Sequence, residues 1–184
     1  MDYLGFVVLQ SLWLSLPAYI ANTVPVLVQR MPILNTPVDF GMQFGGKPLF
    51  GAHKTYRGFF FGIVSAILVV YLQTWLFMSD AWAQEVSLFS YREFSPVLVG
   101  LLLGGGALTG DLVKSFFKRR VGVTSGTSWF PFDQIDYMIG ALLFLSIIYV
   151  PSALHMLVMI VVGLVLTLLS SYVGFFLGMK ESKI

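Results

Sequence analysis

Pro96-Val97-Leu98-Val99-Gly100-Leu101-Leu102-Leu103-Gly104-Gly105-Gly106-Ala107-Leu108-Thr109-Gly110-Asp111-Leu112-Val113-Lys114-Ser115-Phe116-Phe117-Lys118-Arg119-Arg120 is an almost unbroken apolar run as far as Phe117 that closes on three cations. About 20 such residues carry an α-helix across a bilayer, and a basic end fixes it at one interface. Four further apolar runs flank it, Leu4–Val28, Gly58–Met78, Ile135–Val150 and Leu154–Gly178. Hydrophobic residues make up 57% of the 184-residue chain and charged residues 11%, against about 25% charged in an ordinary soluble domain. A water-soluble globule is excluded. The expected fold is all-α and integral to the membrane, with about five transmembrane helices and two basic cytoplasmic loops, residues 1–184 forming a single domain. The fourth run is short, so four crossings is the alternative count. The first run is not a cleavable signal, because Asp2 precedes it and no Lys or Arg does.

With five crossings the cations separate by side. Arg30, Lys47, Lys54, Arg57, Lys114, Lys118, Arg119, Arg120, Lys180 and Lys183 fall together, leaving Arg92 alone on the other face. The positive-inside bias then places the N-terminus outside and the basic loops and C-terminus in the cytoplasm. A net charge of +2 gives no reason to expect nucleic acid as a partner. No cysteine is present, so any metal must use oxygen or imidazole ligands. Glycine at four-residue spacing, Gly58/Gly62, Gly100/Gly104, Gly106/Gly110 and Gly174/Gly178, lets helix backbones approach closely and permits a homodimer.

Chemistry is expected where charge enters these apolar helices. At about 100° per residue, Asp111, Lys114, Ser115 and Lys118 share one face, with Arg119 at its edge and Arg120 pointing away. A carboxylate inside a membrane helix is costly and faces the bundle interior, so Asp111 reads either as a functional group or as a partner of Lys114 or Ser115 in an interhelical network. Asp133 and Asp136, three residues apart at the start of the fourth run, share a helix face at its N-terminal end. Three converging acids would repel unless neutralised, and a hard divalent cation such as Mg²⁺ suits oxygen-only ligands. The plainer reading makes Asp133 an N-cap and pairs Asp136 with Lys or Arg.

The first basic loop holds Phe44-Gly45-Gly46-Lys47-Pro48-Leu49-Phe50-Gly51-Ala52-His53-Lys54-Thr55-Tyr56-Arg57-Gly58. Its glycines could expose backbone N–H groups, while Lys, His, Thr and Arg add directed donors, as a phosphate cradle requires. Attraction to the membrane surface accounts for Lys54 and Arg57 about as well. In the first run Pro17 and Pro25 flank Asn22 and leave carbonyls unpaired, which is tolerable where the helix lines protein or a cavity. His155 reads as an interfacial polar residue rather than a ligand.

Gly110-Asp111, Ser115, Lys118-Arg119 and Asp133-Gln134-Ile135-Asp136 resemble the C-terminal signature of the integral-membrane CDP-lipid-forming cytidylyltransferases. The short chain, Leu16-Pro17-Ala18-Tyr19-Ile20-Ala21-Asn22 and His53-Lys54-Thr55-Tyr56-Arg57-Gly58 are most similar to the archaeal branch of that family, the CDP-archaeol synthases. The bacterial pattern differs, with a Lys-Asp pair and a Pro-Gly-His-Gly-Gly run where Val123-Thr124-Ser125 and Trp129-Phe130-Pro131-Phe132 stand here. The resemblance implies transfer of the cytidylyl group of CTP to an isoprenoid ether lipid phosphate, 2,3-di-O-geranylgeranyl-sn-glycerol 1-phosphate, at the cell membrane. It implies Mg²⁺ on Asp111 and Asp133, with Asp136 a further ligand, and catalytic roles for Asp111, Asp133, Lys114 and Lys118. Nucleotide contacts are implied for Asn22, Lys47, Gly51, His53, Lys54, Thr55, Arg57, Ser115 and Arg119. Gly100, Gly104, Gly105, Gly106 and Ala107 would leave a wide cleft for methyl-branched chains. Phosphatidate cytidylyl transfer, anion transport and a packing subunit are the competing readings.

Overall fold

Asp2 starts the first helix by accepting the Gly5 amide at 3.2 Å, and α1 then runs Tyr3–Leu27 through both of its prolines. The computed structural model describes residues 2–124 and 127–176. The expected cations Lys180 and Lys183, the C-terminus, Ser125 and the Gly174/Gly178 pair with its Gly178 lie wholly or partly outside those residues. Pro17 lacks the amide that would bond the Trp13 carbonyl four residues back. That carbonyl instead accepts the Gln73 side-chain amide at 2.6 Å, and Gln73 in turn accepts the buried Tyr91 hydroxyl at 3.2 Å. A proline in α1 is thus compensated by an amide on the next long helix.

That helix, α2 (Tyr56–Ser79), is capped by Thr55, whose hydroxyl accepts the Gly58 amide at 3.3 Å. Between α1 and α2 lies an irregular segment with one small hairpin, β1 (Gln43–Phe44) paired antiparallel to β2 (Lys47–Pro48). Its two-residue turn, Gly45-Gly46, takes φ of +60° and +73°, which glycine adopts without steric cost. A short α3 (Ala81–Val86) follows α2. Then α4 (Pro96–Gly100), a π-helical turn (Leu101–Gly105) and α5 (Gly106–Arg120) join into one continuous helix, Pro96–Arg120. Two more helices complete the bundle, α6 (Phe132–Leu145) and α7 (Ala153–Phe176).

Among the described residues four helices are long and apolar enough to cross a membrane: α1, α2, Pro96–Arg120 and α7. The chain is a multi-pass membrane protein. The fourth expected span is shorter than the run Ile135–Val150 suggested. Helix α6 has 14 residues, about 21 Å at 1.5 Å per residue against a hydrocarbon core of about 30 Å. Turns from Ser146 to Tyr149 continue its path before α7 begins. The direction of the chain still alternates. Asn22, Lys54, Asp111, Asp133 and Thr167, one from each pass or its entrance, surround a common cavity at one end. At the other end the His155 ring meets Gln10 at 3.1 Å, and Gln10 donates to the Glu85 carbonyl at 3.2 Å. His155 therefore serves as an interfacial polar residue far from the cavity.

Three of the four spaced glycine pairs are consumed inside the chain. A Cβ on Gly140 would stand 2.8 Å from Gly110 Cα, and one on Gly106 would stand 3.0 Å from Ala141 Cα, so α5 and α6 touch backbone to backbone. Gly100 abuts Ile67, Gly104 abuts Ala66, Gly62 abuts the Ala21 carbonyl and Gly58 abuts Pro25. These contacts, together with a fully buried Ala107, correct the expected lipid cleft: of the residues assigned to it, Gly105 alone has open space beside it. Gly174/Gly178, the remaining spaced pair, lies partly outside the described residues. Packed against this seam, Tyr137, Met138, Leu103, Leu145 and Met159 form the core, and the Tyr137 hydroxyl donates to the Gly163 carbonyl at 3.1 Å.

Because backbone atoms cannot retreat as flexible side chains do, Gly140→Val is expected to destabilise the bundle by at least about 1–3 kcal/mol. Gly105→Ala should cause no loss. Thermal unfolding of the two purified variants in one detergent checks this, and a Gly140→Val protein as stable as the parent would contradict the backbone seam.

Candidate active site

The close approach of α5 and α6 sets Asp111, Lys114 and Lys118 on one helix against Asp133 and Asp136 on the other. Lys114 Nζ lies 2.5 Å from Asp133 Oδ1, 3.1 Å from Asp111 Oδ1 and 3.1 Å from Asp136 Oδ2. Lys118 Nζ meets the other oxygen of Asp133 at 2.6 Å. Lys54, arriving from the segment before α2, meets Asp111 Oδ2 at 2.5 Å. Three carboxylates and three ammonium groups thus form one mostly buried array. The expected convergence of the three acids is present, with Lys114 at its centre. Two backbone amides fix the acids further: Trp129 N–H donates to Asp133 Oδ2 at 2.5 Å, and Tyr137 N–H donates to Asp136 Oδ1 at 2.7 Å.

Beside the array lies a cavity of about 690 Å³. Asn22, His53, Lys54, Thr55, Arg57, Asp111 and Asp133 line it, all of them expected from the sequence. So do Gln29, Arg30, Asn35 and Thr167, which were not. Arg30 had counted only among the cations of the basic side, and Thr167 lay unremarked in an apolar run. The charged lining comprises Arg30, Lys54 and Arg57 against Asp111 and Asp133, with His53 nearby. Pro25, Val26, Phe59 and Leu108 give the same cavity an apolar wall. A space with directed cations, carboxylates and an apolar side suits a phosphate-bearing amphiphile.

Several residues expected at the site are engaged elsewhere. Lys47 donates to the Arg120 carbonyl at 3.0 Å, and Arg119 donates to the Val123 carbonyl at 2.7 Å. Ser115 is buried in the helix packing. The Gly51 amide donates to Asp39 at 3.3 Å, and that of Gly58 to Thr55. The amides of these two glycines are thus spent on holding the loop and the start of α2. Asp39, unnoticed in the sequence, organises that loop. It is almost fully buried and accepts the Gly41, Phe50 and Gly51 amides. Burial pushes its carboxyl up, but the three donors outweigh burial and hold it below the usual carboxylate range. Lys114 and Lys118 contact the acids and do not line the cavity.

The donor chemistry can be tested against Mg²⁺. Asp111 and Asp133 face the cavity, whereas Asp136 does not. Among the described residues no group of three or more acidic or imidazole side chains is spaced to hold a metal. Each oxygen of Asp111 and Asp133 is paired with a lysine ammonium, so these residues form no all-protein cage, and a cation here would share one or two carboxylates with ligand phosphates, as Mg²⁺ commonly does.

Removing Lys114 would leave buried Asp136 without a cationic partner and take one ammonium from each of Asp111 and Asp133, which keep Lys54 and Lys118. Breaking a buried pair from one side costs about 3–5 kcal/mol, so Lys114→Met is expected to lose that order of stability in thermal or denaturant unfolding. Adding Asp136→Asn to it should restore part of the loss. A Lys114→Met protein as stable as the parent would show that the ammonium is not the shared partner.

The family model described as CarS-like, CDP-archaeol synthase, matches residues 4–184. The CDP-archaeol synthase of Methanoculleus marisnigri is 36% identical over 174 residues, covering 90% of this chain and 98% of that one. That of Methanocaldococcus jannaschii is 35% identical over 178 residues, covering 93% and 94%. A solved structure described as an intramembrane enzyme for archaeal membrane lipid biosynthesis aligns with a TM-score of 0.69 at 27% identity, covering 86% of this chain and 90% of that one. This chain belongs to the CDP-archaeol synthase family.

Proposed function

We propose that the chain, acting as one membrane-embedded domain, transfers the cytidylyl group of CTP to 2,3-di-O-geranylgeranyl-sn-glycerol 1-phosphate. A phosphate oxygen of the lipid attacks the α-phosphorus of CTP. The bond from that phosphorus to the oxygen bridging the β-phosphate breaks, pyrophosphate leaves with the electron pair, and CDP-archaeol remains. Family membership supports the transferase reading. The cavity carries it locally, because Arg30, Lys54 and Arg57 share its lining with Asp111 and Asp133 beside an apolar wall.

The attacking phosphate is already anionic, so no strong general base is needed. The larger task is to bring two polyanions together, and fixed cations reduce their repulsion while orienting them. Lys54 and Arg57 bind phosphate groups, with His53 and Asn22 as further donors. Lys114 and Lys118 act through the acids: they neutralise and hold Asp111 and Asp133 at fixed positions. Asp111 and Asp133 would hold Mg²⁺, which when bound supplies charge neutralisation on the triphosphate. The apolar wall of Pro25, Val26, Phe59 and Leu108 receives the start of the lipid chains. Preference for isoprenoid ether chains over acyl chains rests on the family. The cation distribution supports a site on the cytoplasmic face of the cell membrane, where CTP is available, with the N-terminus outside.

Asp111→Asn and Asp133→Asn are each expected to lower cytidylyl transfer by several orders of magnitude, since several kcal/mol of charge stabilisation is withdrawn, while the proteins stay folded in detergent. Asp136→Asn, away from the cavity, should be milder. The assay follows labelled CTP entering lipid, with the geranylgeranyl ether phosphate compared with a straight-chain phosphatidate. Near-normal turnover in either of the first two variants would refute the assignment of the acids, and equal use of phosphatidate would refute that of the lipid.

A further inference from the structure

The segment between α1 and α2 carries more apolar surface than a loop in water would. Phe40 is 68% exposed, Met42 55% and Phe44 61%, and Met31, Ile33 and Leu34 are also exposed. These side chains are held outward. Asp39 ties the turn with three amide hydrogen bonds, and next to it Phe40 sits at φ +50°, a conformation that costs a bulky residue energy and persists only where its surroundings impose it.

Two contacts place this apolar patch at the membrane boundary. The Phe40 ring packs on that of Tyr56 at 5.6 Å, at the start of α2, one turn before the exposed Phe60. Phe44 packs on Phe116 at 6.2 Å, and the Arg120 guanidinium lies over both rings, at 5.4 Å and 4.7 Å. Arg120 also donates to the carbonyls of Phe44 and Pro48, stapling the hairpin to the end of the crossing helix. The patch is therefore continuous at both edges with the lipid-facing sides of two spans, through Phe60 on one and Val113 and Phe117 on the other. The charges beside it are basic, Lys47 and Arg120, while the segment's single acid, Asp39, is buried.

We propose that residues 31–44 dip into the bilayer interface, with Phe40, Met42 and Phe44 below the headgroups and Lys47 and Arg120 among anionic phosphates. Aromatic and aliphatic side chains flanked by cations partition to that layer. The same segment leads into His53, Lys54 and Thr55, so its anchoring fixes the mouth of the cavity at the depth where a lipid headgroup lies.

The absence of cysteine makes the test direct. Phe40→Cys, Met42→Cys and Phe44→Cys, each carrying a nitroxide, would be reconstituted into phosphatidylcholine vesicles containing phosphatidylglycerol. Collision with oxygen, which concentrates in lipid, is compared with collision with a water-soluble nickel chelate. The oxygen-to-nickel ratio is expected to be several-fold above that of a free water-soluble nitroxide and to approach that of a label at lipid-facing Leu169. Aqueous ratios at two or more of the three sites would overturn the proposal. So would dipolar broadening between labels on separate copies at high lipid dilution, which would identify a second copy as the cover. The readout needs no turnover, so it stands apart from the assignment of the reaction.

Discussion

A single ammonium group, Lys114 Nζ, lies within hydrogen-bonding distance of three carboxylates that come from two helices. In a bilayer-embedded bundle each of those carboxylates would be prohibitive alone, because burial withdraws the water that stabilises its charge. Shared around one cation, and flanked by Lys54 and Lys118, they become tolerable. The array then imposes its own demands on the scaffold. It requires α5 and α6 to approach closely enough for one lysine to reach both, and side chains at the crossing would prevent that. Gly106, Gly110 and Gly140 remove them. The backbone seam and the charge array are two aspects of one constraint, in which close packing permits the pairing and the pairing satisfies what the packing buries.

The cavity inherits its chemistry from the edge of this array. Asp111 and Asp133 each have oxygens engaged with lysines and still contribute to the cavity wall, so the wall carries fixed charge of both signs. Lys54 differs from the other two lysines in arriving on the loop rather than on a helix. Under the proposed reaction a triphosphate would offer it a competing anion, and its release from Asp111 would leave that carboxylate free for a cation travelling with the nucleotide. Helix-borne Lys114 and Lys118 pair with the acids from α5.

The parts of this design legible in the sequence are those where a charge interrupts an apolar run. Asp111 stands out because a carboxylate in a crossing helix is expensive, and the i, i+3 spacing of Asp133 and Asp136 marks a shared face; all three reach the array. Asn22 between Pro17 and Pro25 was legible for a related reason, as a polar group where the helix ladder is interrupted. What was hidden depends on partners far along the chain. Nothing local reveals that Lys47 is spent on the Arg120 carbonyl, 73 residues away, or that the Gly51 amide serves Asp39. Glycine spacing announced close packing but not its partner, and of the residues that looked like a cleft for branched chains, Gly100, Gly104 and Gly106 are filled by Ile67, Ala66 and α6. The length of α6 was also misleading, because Ser146–Val150 is as apolar as the helix before it yet winds into turns.

The shared ammonium can be observed directly. Protein with ¹⁵N-labelled lysine and ¹³C-labelled aspartate, reconstituted in lipid without nucleotide, can be examined by dipolar-recoupling solid-state NMR, with Lys114 assigned by its absence in Lys114→Met. The expected result is a charged Lys114 Nζ with short couplings to the carboxyl carbons of Asp111, Asp133 and Asp136 together. A Lys114 nitrogen that couples to none of the three, or that is neutral, would contradict the account.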